Sequence, residues 1–208
     1  MVVAMGKNGT ATERAVLAFA GRSGAIRAKD LDAAGLPRAY LGRLVAAGKL
    51  QRVARGLYVR PDASLTEHHT LVEVAKLVPK GVVCLLTALA FHGIGTQAPF
   101  QVWLTIGPDD RHPSVGSVDL RIVRASGEAL TSGVERHAIE GVSVRVYGPA
   151  KTVVDCFKYR NKIGLDVALE ALRDYLGGDW GTVDDLSRYA AICRVTNVMR
   201  PYLQAMRS

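Results

Sequence analysis

Basic side chains recur through the first third of the chain at spacings that suit contacts with DNA. Arg38 and Arg43 lie in a segment of helical periodicity, on the face opposite its apolar stripe. An arginine on such a helix can donate two hydrogen bonds to the edge of a guanine, which favours that base by about 1–3 kcal/mol. The small residues Ala39, Gly42 and Ala46 would let the helix approach the bases closely. The pattern predicts a helix that enters the major groove of double-stranded DNA.

Five further cations suit contacts with the DNA backbone. Two of them lie at the entry to the preceding helix and three surround a predicted hairpin: Arg27, Lys29, Lys49, Arg52 and Arg55. Contacts with phosphates position a protein on the duplex without reading its sequence. The alternative is that these charges are only a solvated face, or that the module binds a protein.

The elements that would hold these cations are two helices, a turn and a hairpin over residues 24–60. Gly35 ends the first helix because glycine accepts a left-handed backbone, and Pro37 is suited to begin the next. The hairpin turns at Arg55 and Gly56, where glycine supplies a positive φ. This order predicts a winged helix-turn-helix, preceded by a leader over residues 1–11 and a helix from Thr12 to Ala20.

Net charge separates this region from the rest of the chain. Residues 1–62 contain 11 Lys and Arg against 4 Asp and Glu, a net charge of +7, whereas the whole chain of 208 residues has +8. A positive excess confined to a small module is typical of a polyanion-binding domain. We therefore expect residues 1–62 to be the DNA-binding domain and residues 63–208 to have another task.

The second region favours mixed structure that ends in helices. Strands are predicted within residues 82–147, with a turn at Glu140 and Gly141, and helices over residues 149–208, the first beginning at Pro149. The predicted fold class is therefore α+β: an N-terminal winged helix-turn-helix, then a mixed α/β domain that ends in a helical bundle.

A polar cluster surrounds Asp155 in the first of those C-terminal helices. Lys151 and Asp155 are spaced as i, i+4 neighbours, and Lys158, Arg160 and Lys162 follow. One interpretation is a charged helix surface. The other is a basic patch for nucleic acid or for an acidic protein partner.

Candidates for catalysis and metal binding are weak. Adjacent His68 and His69 would point in different directions on a helix, so they cannot share a metal as an i, i+4 pair would. Asp109, Asp110 and Asp119 do not make up a complete nuclease site, because the lysine-containing motif that would finish it is missing. We expect no cofactor, no metal and no enzymatic activity.

Cysteine usage and hydropathy favour a cytoplasmic protein. The three cysteines Cys84, Cys156 and Cys193 are odd in number and far apart, as expected of buried thiols in a reducing compartment. No apolar run approaches the roughly 20 residues of a membrane span, and we expect no membrane partner.

The chain resembles the AbiEi-type antitoxins, the regulatory halves of bacterial abortive-infection toxin–antitoxin pairs. In the first region the resemblance lies in Ala28-Lys-Asp-Leu31, Leu41-Gly-Arg-Leu-Val45, Gly48-Lys-Leu50 and Arg55-Gly-Leu-Tyr58. In the second region it lies in Leu86-Thr-Ala-Leu89, His92-Gly93, Pro149-Ala-Lys-Thr-Val-Val-Asp155-Cys-Phe-Lys-Tyr-Arg160, Gly164-Leu-Asp166 and Ala168-Leu-Glu-Ala-Leu172. The first set would match many winged-helix regulators, so the second set makes the resemblance specific.

The resemblance implies a protein with two tasks and no enzymatic activity. Its winged helix would bind inverted repeats in its own promoter, and its C-terminal domain would counteract a nucleotidyltransferase-like toxin, with or without direct contact. The expected DNA contacts are Arg27, Lys29, Arg38, Tyr40, Arg43, Lys49, Arg52 and Arg55. The expected antitoxin surface contains Asp155, Lys158 and Arg160.

Two other hypotheses remain open from the sequence. The chain could be a stand-alone winged-helix regulator whose C-terminal domain senses a ligand or dimerises. It could also be a nucleic-acid-processing enzyme that uses Asp109, Asp110 and Asp119.

Overall fold

The computed structural model describes residues 6–62, 66–113 and 118–206, and the side chains from residue 11 onward within them. The chain divides into two compact units. The first contains the described residues up to Pro79 together with residues 138–144, and the second contains the others. Helix α4 (His69–Leu77) belongs to the first unit. The domain boundary after Asp62 stays a prediction.

The first unit has the element order expected of a winged helix-turn-helix. Before α4 its elements are α1 (Gly6–Ser23), β1 (Ile26–Arg27), α2 (Ala28–Ala33), α3 (Ala39–Ala46), β2 (Gln51–Ala54) and β3 (Leu57–Val59). The three strands form an antiparallel sheet in the order β1-β3-β2. Apolar side chains from the three helices and the sheet share one buried core: Val16, Ala20, Ile26, Leu31, Leu41, Leu44 and Leu50. The predicted arrangement of helices and hairpin is therefore present.

Helix α1 begins earlier than predicted. It starts at Gly6, whereas the sequence indicated a leader as far as residue 11 and a first helix from Thr12. The glycines at positions 6 and 9 argue against a helix by local propensity, which is a weak guide. The rest of the predicted leader, residues 1–5, lies outside the described residues.

The second unit contains helices and most of a five-stranded mixed sheet, of which residues 138–144 around the β7–β8 turn are part of the first unit. Its strands are β4 (Val82–Val83), β5 (Val102–Ile106), β6 (Leu120–Arg124), β7 (Val134–Ile139) and β8 (Val142–Tyr147), in the order β6-β5-β4-β8-β7. Strand β4 pairs antiparallel with β5 and parallel with β8, and β5 pairs parallel with β6. The predicted turn between β7 and β8 is confirmed: Glu140 and Gly141 have φ values of 49° and 74°.

Helices cover this sheet and form the C-terminal part of the fold. They are α5 (Leu85–His92), α6 (Glu128–Thr131), α7 (Pro149–Lys158), α8 (Arg160–Ile163), α9 (Leu165–Gly177), α10 (Val183–Cys193) and α11 (Thr196–Ala205). Pro149 occupies the first position of α7, as predicted, where its missing N–H costs no hydrogen bond. The predicted α+β class with a helical C-terminus is confirmed. Within the described ranges, no helix is both long enough and apolar enough to cross a membrane.

Candidate functional site

Helix α3 presents a basic face to solvent because its other face is anchored in the core. Leu41 and Leu44 are buried, whereas Gly42, Arg43 and Ala46 are exposed. The helix begins at Ala39, so the exposed Arg38 is its N-cap residue. Both arginines are thus accessible, one at the start of the helix and one along it.

Tyr40 lies between the core and this basic face. Its ring is half-buried and packs against the core of the first unit. The guanidinium carbon of Arg43 lies 5.4 Å from the ring centroid, within the range of a cation–π interaction. Tyr40 is therefore placed to orient Arg43, and its own contact with DNA stays a prediction.

The hairpin of β2 and β3 carries two exposed arginines. Gly56, with φ 74°, forms the tip beside the exposed Arg55. Arg52 is opposite Tyr58 in the register, and an irregularity follows between Arg52 and Ala54. The Arg52 Nε donates to the Ala54 carbonyl at 3.3 Å, which holds the side chain along the strand. Tyr58 is half-buried and packs against the core, as its structural interpretation expects.

The remaining cations of the predicted set differ in their availability. Lys29 is exposed. Arg27, in contrast, is half-buried, and its Nη1 donates to the Lys76 carbonyl at 2.7 Å. Lys49 forms an ion pair with Glu13. A DNA contact by Arg27 would use the guanidinium N–H groups that do not bond to Lys76. A DNA contact by Lys49 would replace the Glu13 carboxylate with a phosphate.

The structure corrects the prediction that Asp155 belongs to an exposed surface. Asp155 is only 4% exposed and Lys151 only 1%. Lys151 Nζ lies 2.5 Å from Asp155 Oδ2 and 4.1 Å from the centroid of the Tyr147 ring. The Cys193 thiol lies 3.4 Å from Asp155 Oδ1. The sequence suggested an exposed charge run, but tertiary packing covers this part of α7, and only an ion pair allows both charges to be buried.

Burial raises the pKa of the acidic groups in this cluster. Desolvation raises the pKa of Asp155, although the neighbouring Lys151 charge opposes the shift. Desolvation also raises the pKa of Cys193 to about 11 and that of Cys84 to about 12. Since the thiolate is the reactive form of cysteine, these two thiols are poorly suited to nucleophilic chemistry at neutral pH.

Lys158 and Arg160 remain the candidates for an antitoxin surface. Both are half-buried, Lys158 at the end of α7 and Arg160 at the start of α8, and the Arg160 Nη1 donates to the Phe157 carbonyl at 2.9 Å. Lys158 lines an open cleft together with Arg124 and Arg194, which sequence reasoning did not single out. Arg124, Lys158 and Arg194 are far apart in the sequence, so no local sequence pattern indicates that they share a cleft. The role of Lys158 and Arg160 stays a prediction.

The acidic residues of the nuclease hypothesis make structural contacts. Asp110 Oδ2 accepts a hydrogen bond from the Gly107 N–H at 2.8 Å, and Asp119 accepts one from the Gln101 amide. Among the described residues, no group of three or more His, Cys, Asp or Glu side chains is placed to hold a metal ion.

Comparisons with known proteins match both regions of the chain. Residues 14–61 match a family profile described as a transcriptional regulator, AbiEi antitoxin. Residues 81–200 match a profile described as the AbiEi antitoxin C-terminal domain. The crystal structure of the RV2827C protein from Mycobacterium tuberculosis has a similar fold, with a TM-score of 0.57 at 15% identity, over 87% of this chain and 71% of that one. No curated protein matches the chain.

Proposed function

Because the chain belongs to the AbiEi antitoxin family, we propose that it counteracts a nucleotidyltransferase-like toxin and represses its own operon. The observation that carries this proposal is the presence, in one chain, of a regulator domain at residues 14–61 and an antitoxin domain at residues 81–200. The first would bind inverted repeats in the promoter, and the second would act against the toxin.

The exposed cations of the first unit support binding to promoter DNA. Arg38 and Arg43 would contact base edges from α3, and Tyr40 would hold the Arg43 guanidinium in place. Phosphate contacts would come from Lys29 and from the wing arginines Arg52 and Arg55. Arg27 and Lys49 would lie at the edge of the interface. Exchange of the Lys49–Glu13 pair for a phosphate is inexpensive, because an exposed ion pair contributes less than about 1 kcal/mol.

Fluorescence anisotropy with a labelled promoter duplex tests this part. We expect Arg38→Ala and Arg43→Ala each to weaken binding about 5- to 150-fold and to reduce the preference over a scrambled duplex. Arg173→Ala, which removes the same charge from an exposed position on α9, is the control and should leave affinity unchanged. Unchanged affinity and preference in both α3 variants would refute the groove assignment.

Co-expression tests the antitoxin role. Where a nucleotidyltransferase-like reading frame lies beside the gene, the full-length chain should restore growth to cells that express it, and Lys158→Ala with Arg160→Ala should reduce that protection. A full-length protein that represses the promoter but does not restore growth would instead be the stand-alone regulator. Loss of protection in the double variant counts only if its thermal melt matches the wild type.

A further inference from the structure

An open cleft of about 490 Å³ lies in the second unit where β6, α6, α7 and α10 meet. Its volume is within the range of small-molecule sites, about 300–1,000 Å³. Three cations and one carboxylate line it: Arg124, Lys158 and Arg194, with Glu128. The lining therefore has an excess of positive charge, although the second region as a whole is almost neutral.

The three cations are available to a ligand. In the part of the chain that the structure describes, none of them forms an ion pair with a carboxylate. Arg188, which also lies on α10, differs because it pairs with Asp185. The guanidinium of Arg124 is anchored through Nη1, which donates to the carbonyls of Gly107 at 2.8 Å and Pro108 at 2.7 Å. The other N–H groups of that guanidinium remain for a ligand, and the anchoring reduces the entropy lost on binding.

Arg194 reaches the cleft from an unfavourable backbone conformation. Arg194 follows Cys193, the last residue of α10, and has φ 59° and ψ 41°. These angles lie in the left-handed region, which glycine adopts with the least strain. A side chain there costs roughly 1–2 kcal/mol. This residue is the C-cap of α10, closed by a hydrogen bond from the Val195 N–H to the Ala190 carbonyl at 2.9 Å, and the cap places an exposed guanidinium at the cleft.

Tyr159 adds an aromatic surface beside these charges. Its half-buried ring lines the cleft, with Lys158 Nζ 5.7 Å and Lys162 Nζ 5.6 Å from the centroid. Its hydroxyl donates to the Arg124 carbonyl at 3.3 Å, which fixes the ring next to the β6 end of the cleft. Nucleic-acid bases stack on such rings, and neighbouring cations bind the phosphates.

We propose that this cleft binds a nucleotide. Arg124, Lys158 and Arg194 would contact the phosphates, since arginine matches phosphate oxygens in pairs. The base would lie beside Tyr159, and the Glu128 carboxylate would accept hydrogen bonds from ribose hydroxyls. The site goes beyond the proposed function, which names no nucleotide ligand, although Lys158 would belong both to this cleft and to the antitoxin surface. The nucleotide is either free or part of a single-stranded RNA.

Isothermal titration calorimetry of the full-length protein tests this proposal with three probes: inorganic phosphate, GTP and a short 5′-phosphorylated single-stranded RNA. We expect saturable binding of GTP, of the RNA, or of both, with inorganic phosphate binding more weakly since it lacks a base. GTP binding without RNA binding identifies a free nucleotide as the ligand, and tighter RNA binding identifies a nucleotide within a chain.

Two variants remove a cation with little risk to the fold. Arg194→Gly suits the left-handed backbone, and Lys158→Gln removes the charge but keeps an unbranched, polar side chain at a half-buried position. Each should weaken nucleotide binding about tenfold or more, equivalent to about 1.4 kcal/mol. Arg173→Ala, with the same loss of charge on α9, should have no effect.

Three outcomes would overturn the proposal. The first is no saturable binding of GTP or RNA by the wild-type protein at millimolar concentration. The second is an equal loss of binding in Arg173→Ala, which would indicate nonspecific attraction. The third is unchanged binding of GTP and RNA in both Arg194→Gly and Lys158→Gln, which would place the ligand outside this cleft. The assay contains neither toxin nor promoter, so its failure leaves the antitoxin role unaffected.

Discussion

Lys151 and Asp155 form an ion pair within α7 whose two side chains are almost completely removed from solvent. Nζ and Oδ2 are 2.5 Å apart, and one turn of helix separates the two residues. Tyr147 covers the lysine, and Cys193 contacts the second carboxylate oxygen. The pair lies in the apolar core of the second unit, so each charge depends on the other for its compensation.

Breaking one half of this pair is expected to destabilise the second unit strongly. Lys151→Met or Asp155→Leu alone should lower the free energy of unfolding by about 3–5 kcal/mol, because the partner is left as an uncompensated buried charge. The double variant should lose clearly less than the sum of the two. Urea unfolding measures all three. Arg188→Ala, which breaks the exposed pair with Asp185, is the control and should cost less than about 1 kcal/mol. Additive losses in the double variant would contradict the interpretation.

The Glu140 carboxylate makes the first unit sensitive to acid. It accepts hydrogen bonds from the Thr66 N–H at 2.7 Å and the Thr66 hydroxyl at 2.9 Å, and it contacts the His69 ring at 2.7 Å. Burial acts to raise its pKa, but these partners outweigh burial, so the pKa of Glu140 lies below its ordinary value of 4.5. A lowered folded-state pKa stabilises the fold above the unfolded value, and this contribution is lost as pH falls through the folded value.

We therefore expect Glu140→Gln to be less stable than the wild type at neutral pH and equally stable in acid. The difference in urea midpoint should begin to shrink below about pH 4.5, where the unfolded chain takes up the proton. A difference that stays constant across the acid range would show that the charge of Glu140 is not what stabilises the contact.

Gly24 and Gly48 both have a positive φ, but only at Gly24 would a side chain also collide with neighbouring backbone. Gly24 has φ 59°, and a Cβ there would collide with the Glu140 carbonyl oxygen. Gly48 has φ 67°, and among described residues no atom lies within 4 Å of the corresponding position. Gly48→Ala should cost roughly 1–2 kcal/mol, the conformational term alone. Gly24→Ala should cost more because backbone must also move. Equal urea midpoints for the two variants would contradict the close approach.

Arg55 at the wing tip should contribute affinity without sequence preference. Arg55→Ala is expected to weaken binding to promoter and scrambled duplex by a similar factor, because a phosphate contact carries no base information. The slope of log affinity against log salt concentration should fall in magnitude by about 0.9 for the one phosphate lost. Anisotropy titrations at several salt concentrations measure both. A changed sequence preference would instead place Arg55 at a base edge.

Features encoded within a few residues could be predicted from the sequence. Pro149 at the start of α7 and the turn at Glu140 and Gly141 were of this kind. The capping box of α10, where the Thr182 hydroxyl accepts from the Asp185 N–H at 3.1 Å, is equally local. The periodicity of residues 36–45 likewise identified which face of α3 would be buried.

Features that depend on distant packing could not be predicted. Residues 150–157 of α7 are all buried, so this stretch has no solvent face, whereas the i, i+4 spacing of Lys151 and Asp155 predicts an exposed charged face. The sheet order β6-β5-β4-β8-β7 depends on pairings between segments far apart in the chain. The cations of the cleft come from separate elements, and only the folded chain brings Arg124, Lys158 and Arg194 to one place.

The two-residue strand β4 sets an order for folding during synthesis. Val83 has its parallel neighbour, Val146, only on β8, so the middle of the sheet cannot be completed until the ribosome has passed that strand. Parallel pairings between distant segments form slowly, because the intervening chain must be closed first. A nascent chain thus acquires its winged-helix elements, the last of which ends at Val59, well before its antitoxin domain. We expect the apolar core shared by α1, α2, α3 and β1 to form on the nascent chain before the sheet of the second unit, whereas the contacts that residues 138–144 add to the first unit wait for that later segment.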